Sequence, residues 1–165
     1  MRSAAERGHH LRFGIVAPPM WMGRVRRRPG TESSAGVARF WSMATSRALT
    51  AGGLCDITTI GAKSGRPHSI EIAFHRLDGE YFITGKPGFK RDWLANLNAH
   101  PEFTLHLRDG SDLTVLARET TDPAERDRVL YEIRTRSWGV DPEKARATND
   151  LWVESSPLVR FTVEG

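Results

Sequence analysis

The sequence predicts an α+β domain, mainly β: a small closed sheet with short helices packed on its outside. Three observations carry that expectation. From residue 54 onward, short β-branched or alternating runs are separated by tight-turn dipeptides, Asp78-Gly79 and Asp109-Gly110. Two helix-start signals, Asp122-Pro123 and Asp141-Pro142, lie in the last third. After Pro157 a mostly apolar run, Leu158, Val159, Phe161 and Val163, supplies a closing strand.

In chain order, residues 1–36 mix Arg, Gly, Pro and Ser around one apolar cluster (13–22) that has neither helical nor strand periodicity, and disorder is expected there. Met43 is an alternative start. A basic arm anchored to an anionic membrane by Trp21 and Met22 is the other reading of this segment, but it lacks an amphipathic period. Val37, Phe40, Trp41, Ala44 and Ala48 then share one helical face, which Gly52-Gly53 ends. The domain proper is taken as 37–165.

Residues 54–60 are β-branched, and 69–77 alternate Ile70, Ile72 and Phe74 against Glu71, Ala73 and His75, with Asp78-Gly79 turning the chain into 81–84. Asp92 is the expected N-cap of a short helix to 98, which His100-Pro101 stops. Phe103, Leu105 and Leu107, then Leu113, Val115 and Ala117, read as a second hairpin about Asp109-Gly110. Asp122-Pro123-Ala124-Glu125 starts a helix to about 136, and Asp141-Pro142-Glu143 a shorter one to about 152.

At 165 residues and with one cysteine, the chain has the size of a single domain and no means to form an internal disulfide. Cys55 is read as a small core residue, and no Cys/His cluster suggests a metal. No apolar run reaches the roughly 18 residues of a membrane span, and a soluble, cytoplasmic protein is expected. The pI of 9.7 is misleading as a nucleic-acid signal. Residues 1–42 hold eight Arg against Glu6 and Glu32, leaving 16 Lys and Arg against 18 Asp and Glu from Met43 onward. The body therefore offers no domain-wide phosphate-binding surface, and nucleic acid is not an expected partner.

Charge is instead concentrated locally. Between residues 61 and 91, Lys63, Arg66, Arg76, Lys86, Lys90 and Arg91 outnumber Glu71, Asp78 and Glu80. The first loop, Gly61-Ala62-Lys63-Ser64-Gly65-Arg66-Pro67, is a turn whose backbone N–H groups can converge on an anion while Lys63 and Arg66 add full charges. The second, Lys86-Pro87-Gly88-Phe89-Lys90-Arg91, adds three more cations. Ile70, Ile72, Phe74, Phe82, Phe89 and Trp93 are candidates for an apolar slot beside them, so that a ring bearing a phosphate is the ligand this chemistry suggests.

The run from Thr58 through Pro67, then Gly85-Lys86-Pro87-Gly88, then Asp92-Trp93-Leu94-Ala95-Asn96-Leu97 with His100-Pro101, and finally Thr121-Asp122-Pro123-Ala124-Glu125-Arg126, resembles the deazaflavin (F420)-dependent nitroreductase and F420H2-dependent quinone reductase family. The resemblance covers about residue 54 to the C-terminus, with several motifs agreeing in order and spacing. It implies a split β-barrel related to FMN-binding, pyridoxamine-phosphate-oxidase-like barrels. It also implies hydride transfer from reduced coenzyme F420 to an electrophilic organic acceptor of quinone, nitro or enone type.

Carried over by position, the family's phosphate turn falls on Lys63, Ser64, Gly65 and Arg66. Its second cofactor loop falls on Lys86, Gly88, Lys90 and Arg91, and Trp93 and Asn96 face the cofactor or brace the loop. The sequence departs from the family at Ala62 and His68, where basic residues are usual, and at Pro87-Gly88-Phe89, where paired glycines are commoner. Tyr131 is the candidate for the acceptor side, with no catalytic acid or base assigned, and Glu71 and His75 are candidates for the pocket wall. FMN is the alternative cofactor, and a non-catalytic F420 or flavin carrier the alternative function. Related barrels often pair, and an exposed sheet edge would favour a homodimer.

Overall fold

A computed structural model describes residues 34–164 in backbone and the side chains from Met43 onward. The leader reading of residues 1–36 and the apolar stripe of Val37, Phe40 and Trp41 thus fall largely outside the described residues and side chains. Helix α1 (Ser34–Ala51) begins three residues ahead of the expected Val37. It packs Ala48 and Leu49 against the sheet core, and the Thr45 and Ser111 hydroxyls meet at 2.8 Å.

Six strands follow: β1 (Gly53–Ile60), β2 (Pro67–Leu77), β3 (Glu80–Thr84), β4 (Glu102–His106), β5 (Asp112–Glu119) and β6 (Leu158–Val163). They close into an antiparallel barrel in the order β1-β2-β3-β6-β5-β4. The turns behave as their residues require: Asp78 and Gly79 both take positive φ, as does Gly110. Closure removes most of the free edge on which self-association was expected to rest. The first part of β2, residues 67–73, still pairs with β1 and not with β3.

Inward-facing residues fill the barrel. Phe161 is its centre, edge-on to Phe74 at 6.0 Å and to Phe103 at 5.7 Å, and stacked on Tyr81 at 5.3 Å between centroids. Cys55 is fully buried, as expected, and burial first, then the neighbouring Asp56 charge, pushes its thiol up to about 12. A second apolar cluster, with Leu77, Phe82 and Leu158 on the barrel side and Val129, Leu130 and Ile133 on the helix side, seals the helical layer to the wall.

Helix α2 (Asp92–Ala99) is capped by Arg91 rather than Asp92, with no side-chain capping bond; Asp92 is the first helical residue, where a carboxylate still favours the positive end of the helix. Helix α3 (Pro123–Glu132) has the expected cap, Asp122 accepting the Glu125 N–H at 2.8 Å. It continues as a π-helical turn, Ile133–Ser137. The helix expected from Pro142 to about 152 is two, α4 (Pro142–Ala147) and α5 (Asn149–Ser155). The break falls at Thr148, whose hydroxyl donates to Lys144 O and accepts from Arg134 Nη2 at 2.6 Å. No helix among the described residues is long and apolar enough to cross a membrane.

Arg126 pins this layer. Its guanidinium donates to Val153 O, Thr120 O and Ser156 O at 2.8, 2.8 and 2.5 Å. Those bonds tie α3 to the end of α5 and to the entry of β6.

Candidate functional site

The turn between β1 and β2 is built by its own backbone. Gly61 N–H donates to Arg66 O at 2.8 Å, Gly65 N–H to Gly61 O at 2.9 Å, and Arg66 N–H to Ser64 Oγ at 3.2 Å. Gly65 sits at φ +64°, where side chains with a Cβ are strained. Gly61 is required for space: a Cβ there would lie 2.3 Å from Ser64 Oγ and 2.9 Å from His68 Nε2. The Ala62 N–H donates to Asn96 Oδ1 on α2. That leaves the amides of Lys63 and Ser64 as the two in this turn with no acceptor among the described residues. Two adjacent free N–H groups beside a lysine are donors that an anion could take up.

Between this turn and α2 lies a cleft of about 490 Å³. Gly61 to Ser64 form one wall, Trp93 and Asn96 of α2 the other, and His68, Ser69 and Ile70 of β2 lie between them, with Lys90 and Asp92 also in the lining. Trp93 and Ile70 give it an apolar surface, since both also belong to or pack on the barrel core. The His68 Nε2 lies 3.2 Å from Ser64 Oγ.

Of the residues expected at the site, the structure brings Lys63, Ser64, Lys90, Trp93 and Asn96 to this cleft. Gly65 and Arg66 belong to the same turn but do not line it. The second loop divides. Lys90 faces the cleft, while Arg91 lines a separate groove of about 540 Å³ with Phe89, Leu94 and Arg126. There Arg91 lies over the Phe89 ring at 5.3 Å and donates to Lys86 O at 3.4 Å. Gly88, at φ +79°, donates its N–H to Ser155 O, tying this loop to α5. Lys86 and Gly88 line neither space.

The expected apolar slot is smaller than its candidates. Ile70 and Trp93 line the cleft, but Phe74 and Phe82 are buried in the two apolar clusters and Phe89 stands exposed on the other side of the loop. Glu71 is held by Arg108, whose Nη2 lies 2.5 Å from its carboxylate. His75 is buried under Trp138, ring to ring at 5.6 Å, with Nε2 lacking a hydrogen-bond partner. Neither lines the cleft: Glu71 lies on the β1-paired arm with its side chain 60% exposed beside Arg108, and His75 lies beyond that arm, where β2 pairs with β3 under Trp138. Tyr131 lies beneath the Arg146 guanidinium at 4.0 Å and also lines neither space. Thr59, Gly61 and Ser69 also line the cleft and were not among the residues assigned to a cofactor from the sequence. Thr59 hides behind β-strand composition, whereas Gly61 opens the quoted turn and had a signal. Among the described residues no three His, Cys, Asp or Glu side chains gather as for a metal ion.

The β1–β2 turn and its cleft thus sit on a closed six-stranded antiparallel barrel. The chain belongs to the F420H2-dependent quinone reductase family, whose model matches residues 24–153. It is an F420-dependent oxidoreductase, with F420H2 as its cofactor and small molecules as its substrates. No curated protein matches the sequence.

Among solved structures, the conserved hypothetical protein Rv2991 from Mycobacterium tuberculosis is 20% identical with a TM-score of 0.55, over 81% of this chain and 82% of that one. A Clostridium acetobutylicum protein of the pyridoxinephosphate oxidase family is 14% identical, TM-score 0.50, over 76% and 84%. HutZ, the heme storage protein from Vibrio cholerae, is 13% identical, TM-score 0.51, over 74% and 89%. These likenesses establish the split-barrel fold.

Proposed function

We propose that the cleft between the Lys63 turn and α2 holds the F420H2 coenzyme, and that the chain reduces an electrophilic organic acceptor of quinone, nitro or enone type beside it. The supporting observation is the pairing of two unpartnered amides and two lysines, Lys63 and Lys90, with an apolar wall of Ile70 and Trp93 in one space. That donor set suits a ring carrying a phosphate, and the volume falls in the range of small-molecule sites.

When bound, the coenzyme supplies a hydride. The chain's own part is positional. Lys63, Lys90 and the free amides hold the anion, Ile70 and Trp93 exclude water from the ring, and Asn96 fixes the turn against α2. Arg66, in the same turn but outside the cleft lining, adds long-range charge. Ala62 and His68 leave fewer cations here than the family's usual pattern, and Lys90 makes up part of that deficit.

Titration of F420 fluorescence with purified protein tests the reading, with FMN as the comparison ligand. Micromolar binding of F420 that Lys63→Ala weakens, followed by oxidation of F420H2 on adding a benzoquinone or a nitroaromatic, is the expected result. Tight binding without oxidation by any such acceptor would make the protein a carrier, and preference for FMN would replace the coenzyme.

A further inference from the structure

Four polar side chains form an unbroken hydrogen-bonded line across four adjacent strands. Asp112 Oδ1 on β5 lies 2.7 Å from His106 Nδ1 on β4. His106 Nε2 lies 2.7 Å from Thr58 Oγ1 on β1. Thr58 Oγ1 in turn lies 2.7 Å from Ser69 Oγ on β2. The backbone ladder sets this spacing, since His106 is registered opposite Asp112 and Thr58 opposite Ser69.

Both ends of the line are exposed, but they open on different places. At one end the Asp112 and His106 side chains are 67% and 33% exposed, within reach of water. At the other, Ser69 lines the cleft beside Lys63. A carboxylate only accepts, so Nδ1 of His106 carries hydrogen toward Asp112 and the ring's exchangeable position is Nε2. Each hydroxyl can accept on one side while donating on the other. The arrangement of an acid-held histidine on a hydroxyl is the one that moves protons in hydrolytic triads, but here the hydroxyl chain leads away into a cleft.

We propose that Asp112, His106, Thr58 and Ser69 form a proton relay from solvent to the reduction site; this rests on the reading of the Lys63 cleft as the coenzyme site. Hydride delivery to a quinone or related acceptor leaves an anion that needs one proton. Ser69 Oγ–H gives that proton, and Ser69 takes the hydrogen of Thr58. Thr58 takes the Nε2 hydrogen of the His106 imidazolium, and the imidazole left neutral regains a proton from water. One hydride and one proton reach the acceptor, and no other co-reactant is consumed. Asp112 and Thr58 are positioning and relay residues, and Ser69 is the member that meets the acceptor.

The charges facing His106 are Asp112 from β5, Asp56 opposite it on β1, and Arg108 beyond it in the chain, which pairs with Asp56 at 3.1 Å and Glu71 at 2.5 Å.

The test uses His106→Gln, Thr58→Val and Asp112→Asn in the full chain, with Lys63→Ala as the control on the site itself. F420 fluorescence titration comes first. Wild-type binding that Lys63→Ala weakens and the relay variants leave within about twofold keeps the site assignment independent of the relay. Absence of binding, or indifference to Lys63, overturns the site assignment and with it the relay.

Ring ¹⁵N spectra of His106 are then recorded with and without oxidised F420. A ligand-induced shift at Nε2 that Thr58→Val abolishes is expected; a shift that persists in Thr58→Val overturns the relay. In turnover with a benzoquinone, His106→Gln and Thr58→Val should lower kcat about a hundredfold with KM unchanged, the bottom of the range for positioned proton transfer. The pH profile of kcat should differ between wild type and His106→Gln. Full kcat with an unaltered pH profile in His106→Gln would refute the proposal.

Discussion

Asn96 Oδ1 on α2 accepts the backbone N–H of Ala62 at 2.9 Å, and the same side chain's Nδ2 donates to Thr59 Oγ1 at 3.0 Å. One buried amide thus clamps both sides of Gly61 and fixes the shape of the Lys63 turn. Replacing it leaves a buried hydroxyl and a turn amide without their partner. Asn96→Leu should cost about 1–3 kcal/mol of stability in a denaturant titration, and should raise the F420 dissociation constant about tenfold by loosening the turn. Asn96→Asp retains the acceptor for Ala62 but loses the donor to Thr59, and should fall between. A Leu variant that binds as well as wild type would remove the bracing role.

The division of the second loop gives a sharper test. Lys63→Ala with Arg66→Ala should weaken F420 at least tenfold, a factor of order 1.4 kcal/mol or more for charge-assisted contacts, and most strongly at low salt. Lys90→Ala should act in the same direction. Arg91→Ala, although the adjacent residue, faces the other groove and should change affinity by no more than about twofold. Equal losses at Lys90 and Arg91 would show that the loop turns over on binding.

Gly61→Ala forces a Cβ to within 2.3 Å of Ser64 Oγ. Ser64 must swing away, which releases its bond to the Arg66 N–H and displaces His68. Affinity for F420 should drop with the protein still folded, as read by circular dichroism beside the fluorescence titration. Unaltered affinity would mean that the Ser64 position is immaterial to the ligand.

His75 carries an acid sensitivity. Burial under Trp138 pushes its imidazole from 6.5 down to about 4, so the folded state holds it neutral while the unfolded chain protonates it near 6.5. Between those values the unfolded state binds more protons, and stability falls as pH is lowered. The loss amounts to roughly 3 kcal/mol at pH 4 relative to pH 7. His75→Leu should flatten that part of the stability profile in urea melts, and an equal slope in both proteins would assign the acid sensitivity elsewhere.

These residues also mark how far the sequence could be read. Asp122 and Asp78-Gly79 act through neighbours in the chain, and their roles were legible. The alternation of β4 and β5 was legible for the same reason, because one face of each meets one core. His75 was not, since β2 changes from hairpin arm to covered barrel wall along its length, and nothing in its pattern marks where the helical layer begins. Lys90 and Arg91 are chemically alike, and only the path of the loop decides which enters the cleft. The break at Thr148 has no glycine or proline to announce it; it depends on Arg134, fourteen residues earlier. Thr58 and His106 meet across 48 residues, a distance at which no local motif can operate.

β6 lies between β3 and β5 and is the only described strand that pairs with either one on that side. During synthesis, therefore, the ribosome releases a β1-β2-β3 meander and a β4-β5 hairpin whose facing edges stay open until Leu158–Val163 emerges. Local hairpins can form early, but ring closure waits on contacts of high sequence separation, which are slow to find. In that interval both edges are templates for pairing with other chains. Slow translation through the last helices, or loss of the six residues of β6, would show first as aggregation of nascent chains and not as weak coenzyme binding.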